Sequence, residues 1–106
     1  MKVRFYLISD NIDTAIGLRL AGVMGTVVHG REETLEAFNE ALQDETVGIL
    51  LITELAAGEI QEEINSHKIS GKLPLVFVIP DRHGWRGDKN FITRYVEEVV
   101  GVKMNE

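Results

Sequence analysis

The stretch SDNIDTAIGLRLAGV, Ser9 to Val23, sets an acidic tip directly behind an apolar run and continues into a helical pattern holding two glycines and one arginine. Three chemistries suit such a tip: a phosphate cradle, an acidic metal pocket, or a rigid docking surface. A phosphate cradle needs glycines in the turn itself, so that backbone N–H groups can approach the anion. SDNIDT contains none. Gly17 and Gly22 keep the outer spacing of a Walker loop, but Val23 and Met24 stand where Lys and Ser/Thr are required. Two acids would also repel a phosphate, so Asp10 and Asp13 read as caps that satisfy free N–H groups at a helix start.

The other reactive residues fare no better. His29, His67 and His83 lie far apart with no i, i+4 pairing, which leaves them as structural or surface histidines rather than metal ligands. Asp81 and His83 form an acid–imidazole pair without an oriented nucleophile. Ser9, Thr53, Ser66 and Ser70 offer hydroxyls, yet none stands in a nucleophile elbow. A phosphoacceptor receiver domain needs an Asp closing its third strand and a lysine after a late one. Here that strand ends in Thr53–Glu54, and the first lysine after the last strand is Lys89. No residue is assigned a catalytic, cofactor-binding or metal role, and the chain reads as a non-enzyme.

Composition narrows the classes further. The 106 residues are most simply one domain, 1–106, with an α/β core over 1–80 and a loop and C-terminal helix over 81–106. No cysteine is present, which excludes disulfides and thiolate metal sites. Seventeen acids against eleven bases give a net charge of −6, unsuited to gripping nucleic acid or an anionic membrane. MKVRFYLISD has too short an apolar run for a signal peptide, and LPLVFVIP is far shorter than the ~18 residues of a membrane helix. The expected location is cytoplasmic.

The elements that must position these residues alternate along the chain. Strands are expected at Val3–Ser9, Thr26–His29, Val47–Thr53 and Leu73–Ile79. VGILLIT and LPLVFVIP are continuous apolar runs, which suits strands buried on both faces of a parallel sheet. TVVHG reads as an edge strand closed by His29. Between strands, three stripes recur at helical spacing: Ile12, Ala15, Ile16, Leu20 and Val23; Leu35, Phe38 and Leu42; Ala56, Ala57, Ile60 and Ile64. Gly22, Gly25 and Gly71 fall where helices should stop. The pattern predicts a small doubly wound α/β fold, receiver- or Rossmann-like, with four parallel strands in the order 2-1-3-4 between helices. A last helix is expected from about Asn90 to Val102, after the loose stretch PDRHGWRGDKN.

With no chemistry assigned, surface features carry the functional reading. Arg19 projects into the apolar stripe of the first helix, where it must snorkel to an acid or solvent, or lock the helix for docking. Leu18 and Ala21 fall on the opposite, solvent side. In the last helix Phe91, Ile92, Tyr95, Val99 and Val102 form one face while Val96 and Val100 sit off it, an arc wide enough for a partner or for more of the chain's own sheet. Trp85 beside Arg86 has the composition of an interface hot spot or of a loop anchor. Interface candidates are therefore Leu18, Arg19, Ala21, Trp85, Tyr95, Val96 and Val100.

SDNIDTAIGLRLAGV resembles the N-terminal signature of the F subunit, the small central-stalk component of V-type and A-type rotary ATPases, called the G subunit in some bacterial sodium-pumping versions. Asp10, Asp13, Thr14, Gly17, Arg19, Leu20, Ala21 and Gly22 match it. VGILLITELAAGEI matches at Thr53 and Glu54, and LPLVFVIPDRHG at Pro74, Ile79, Pro80 and Gly84. Ser9 replaces the usual glycine, Leu18 the usual phenylalanine, and DRHGWRGD departs from the usual loop. The resemblance spans the chain and implies a rotor part without catalytic site or cofactor. Its implied partners are the coiled-coil D subunit, the catalytic A and B subunits and the funnel-shaped stalk subunit, with no nucleic acid and no direct membrane insertion. A cytoplasmic position peripheral to the membrane follows, coupling ATP synthesis or hydrolysis to proton or sodium transport. The rival from another class is a receiver-like regulatory or small-ligand-binding module acting through protein contacts.

Overall fold

The computed structural model describes residues 3–80. Four parallel strands, β1 (Arg4–Ser9), β2 (Met24–Val27), β3 (Val47–Thr53) and β4 (Leu75–Ile79), form one sheet in the order β2-β1-β3-β4, as the alternation predicts. Helices α1 (Ile12–Leu20), α2 (Gly30–Gln43), α3 (Glu54–Glu59) and α4 (Gln61–Ser70) complete the order. The helix expected over 90–102 lies outside the described residues.

β3 is the axis of the fold: all seven of its residues are buried, as a strand covered on both faces requires. Its pleat feeds two cores. Leu50 and Ile52 join Ile8, Phe38, Ala56, Ala57, Ile60, Ile64 and Val76 under α2, α3 and α4. Ile49 and Leu51 point the other way and pack with Leu7, Leu18, Val23 and Ile79 on the side of α1. Phe38, 1 % exposed, fills the first core, and its ring meets the His67 ring edge-on at 6.2 Å. His67 is half-buried, and its Nε2 lies 2.7 Å from the Pro74 carbonyl oxygen. A carbonyl only accepts, so Nε2 carries the proton and ties α4 to the entry of β4.

Three strand expectations change. β2 begins at Met24, because parallel pairing with β1 brings Tyr6 against Met24 and Leu7 against Gly25. Gly25 therefore lies inside a strand rather than at a helix stop. A Cβ there would sit 2.6 Å from both Cβ and the carbonyl oxygen of Leu7, so the close approach of the two strands needs glycine. His29 leaves the strand and occupies the N-cap position of α2, its N–H donating to the Glu33 carboxylate at 2.8 Å. β4 begins at Leu75 and is an edge, not a doubly covered strand: Leu75, Phe77 and Val78 are exposed. The third helix is two pieces, since the chain tightens at Ile60, whose N–H donates to the Ala57 carbonyl.

The largest correction concerns the rotation of α1. The expected core stripe faces outward, with Ile12 63 %, Ile16 52 % and Leu20 84 % exposed. Leu18, expected in solvent, is 1 % exposed in the core, and Ala21 is partly buried against it. Thr14 and Leu18 carry the inner face, flanked by the small residues Ala15 and Gly17. Small neighbours let the helix sit close to the sheet with one large side chain as the plug, and this steric fit outweighs the number of apolar residues on the other side. The arrangement buries the Thr14 hydroxyl without a hydrogen-bond partner among the described residues. Thr14→Val keeps the shape and removes the stranded group, so it should raise stability by about 1 kcal/mol in thermal or urea unfolding.

Among the described residues, two surface ion pairs brace the fold. Arg4 reaches Asp44 at 2.9 Å, and Arg31 of α2 pairs with Glu63 of α4 while donating to the Glu59 carbonyl at 2.7 Å. The Thr46 hydroxyl and N–H, then Arg4, hold the Asp44 carboxyl below its ordinary range; Arg31 does the same for Glu63. A carboxylate depressed by folding contributes stability above its unfolded pKa and loses it as pH falls through the folded one. Thermal midpoints should therefore drop on acidification through the carboxylate range, and the Asp44→Asn, Glu63→Gln double variant should show a shallower drop.

Candidate functional site

In open parallel sheets ligands bind beyond the carboxyl ends of the strands, at the point where strand order reverses. Here that point lies between β1 and β3, and the acidic tip stands on it. The tip is tied shut by its own hydrogen bonds. The Thr53 hydroxyl donates to Asp10 Oδ1 at 2.6 Å and accepts from the Asp10 N–H at 3.2 Å, locking the end of β3 to the end of β1. Ser9 Oγ donates to the Asn11 carbonyl at 2.7 Å and accepts from the Asn11 N–H at 2.9 Å.

The capping expectation is corrected in the same place. Asn11 is the N-cap of α1, its Oδ1 accepting from the Thr14 N–H at 3.1 Å. Asp10 is engaged with Thr53 instead, and Asp13 lies in the first turn, where a negative charge suits the helix dipole. Asparagine three residues before Thr14 is the local signal for this cap; the Asp10–Thr53 bond, spanning 43 residues, has none. Thr53→Val removes the hydroxyl from both bonds and leaves the Asp10 N–H and one carboxylate oxygen without it. The expected cost is about 1–3 kcal/mol in urea unfolding, with Thr53→Ser recovering most of it.

Among the described residues, no group of three His, Asp or Glu side chains converges as a metal site. Two cavities formed by the described residues lie away from the acidic tip. One of about 110 Å³ opens under the Arg4–Asp44 pair, lined by Tyr6, Ala37 and Val47. A broad open groove runs between α2 and α4, floored by Phe38 and Leu42 and rimmed by Glu62, His67 and Lys72.

The surface divides by charge. Helices α2, α3 and α4 carry eight glutamates against Arg31 and Lys68. Helix α1 carries one acid, Asp13, and one base, Arg19. Arg19 is exposed in the last turn of α1, near the carbonyl end that favours a cation, and makes no side-chain hydrogen bond or ion pair among the described residues. It is not embedded in a core stripe; the isoleucines beside it are on the surface too. Of the interface candidates the structure keeps Arg19 outside, buries Leu18 and half-buries Ala21. Trp85, Tyr95, Val96 and Val100 lie outside the described residues. Sequence reasoning missed the outer row of α1, because Ile12, Ile16 and Leu20 have the spacing of a core stripe.

No described helix is long and apolar enough to cross a membrane. Residues 5–96 match the family model of the ATP synthase (F/14-kDa) subunit. The chain is 32 % identical over 94 residues to the F subunit of the A-type ATP synthase of Methanothermobacter thermautotrophicus, covering 87 % of this chain and 88 % of that one. It is 30 % identical over 97 residues to the A-type ATP synthase F subunit of Thermococcus kodakarensis, covering 87 % and 89 %. With the protein of the same name from Pyrococcus furiosus it shares 30 % over 107 residues, covering 92 % and 95 %. A match along nearly the whole length, on a fold whose acidic tip is closed by its own bonds, places the chain in the family of the ATP synthase (F/14-kDa) subunit.

Proposed function

We propose that this chain is the non-catalytic central-stalk subunit of a V/A-type rotary ATPase, peripheral to the membrane on the cytoplasmic side. In that role it binds the long coiled-coil D subunit. The two together join the head of catalytic A and B subunits to the funnel-shaped subunit on the membrane rotor, coupling ATP synthesis or hydrolysis to proton or sodium transport. One observation carries the reading: the match of residues 5–96 to the ATP synthase (F/14-kDa) subunit.

The physical demand on a rotor part is stiffness and adhesion rather than bond chemistry. A fully buried central strand with helices on both faces supports the first. The Asp10–Thr53 tie supports it as well, since it fixes the two strand ends that a ligand-binding fold would leave open. Exposed apolar side chains on α1 and β4 support the second.

The test is co-purification from the host. A tagged chain is extracted gently with membranes, and its companions are identified by mass spectrometry. Stoichiometric recovery of a coiled-coil subunit with the large catalytic subunits, in a fraction that hydrolyses ATP, is the expected result. A clean monomer, or recovery of kinases and transcription factors, overturns the proposal in favour of a regulatory module.

A further inference from the structure

We draw no further inference here: the strongest candidate, the exposed apolar strip of Leu75, Phe77 and Val78 on the edge strand β4, carries nothing because nothing among the described residues shows what covers it.

Discussion

Phe38→Ala should destabilise the protein by about 3–5 kcal/mol, a large part of the roughly 5–15 kcal/mol that holds a small domain folded. The size follows from position. Among the described residues Phe38 is the largest fully buried side chain, 1 % exposed, with Ile8, Leu50, Ile52 and Ile64 in the same cluster. Removing the ring forfeits its transfer from water and leaves a cavity between α2 and the sheet that surrounding atoms close only in part. His67 loses its edge-on partner, though its bond to the Pro74 carbonyl persists. Urea unfolding followed by circular dichroism should show a lower midpoint with an unchanged slope, the mark of a stability change without a change in the surface exposed. Phe38→Leu refills most of the volume and should recover most of the loss. A Phe38→Ala protein within about 1 kcal/mol of wild type would mean that α2 does not pack on the sheet as described.

Leu18→Ala and Leu20→Ala form the second large prediction, as a pair. Leu18 is 1 % exposed and the central plug of α1 against Leu7, Ile49 and Leu51; Leu20, two residues on, is 84 % exposed. Leu18→Ala should cost about 2–5 kcal/mol and Leu20→Ala no more than about 0.5 kcal/mol. Both remove the same atoms from the same helix, so propensity cancels and only the rotation of α1 remains. Equal costs, or a larger one at Leu20, would restore the stripe of Ile12, Ile16 and Leu20 as the core face.

The capping of α1 shows how neighbouring side chains divide their tasks. Asn11 satisfies the Thr14 N–H, and this frees Asp10 to bind Thr53 across the sheet. The helix start and the strand tie are made by adjacent residues, so the acidic tip is structural at both. That accounts for the absence of a glycine turn in SDNIDT: a cradle needs bare N–H groups aimed outward, and here those of Asp10 and Asn11 donate to Thr53 and Ser9.

The α/β class, the parallel sheet with its 2-1-3-4 order, and β3 as the central strand are all legible in the residues alone. Those features rest on period and run length: VGILLIT has no polar face, so it has to be covered on both sides, and helices between strands leave few ways to cover it. The stops at Gly22 and Gly71 are legible for the same local reason, since both adopt a positive φ that other residues resist. The rotation of α1, the start of β2 and the exposure of β4 become definite only when the elements meet. α1 is apolar on two sides, and periodicity cannot rank a stripe of Ile, Ile and Leu against one of Thr and Leu among small residues. What ranks them is how closely the helix can approach the sheet, a property of two surfaces that meet only after folding. Gly25 likewise reads as a stop until Leu7 lies beside it. The outer row of α1 stays hidden in the sequence for one physical reason: apolar residues at helical spacing mark a stripe, but only packing against the sheet decides which of two stripes faces it.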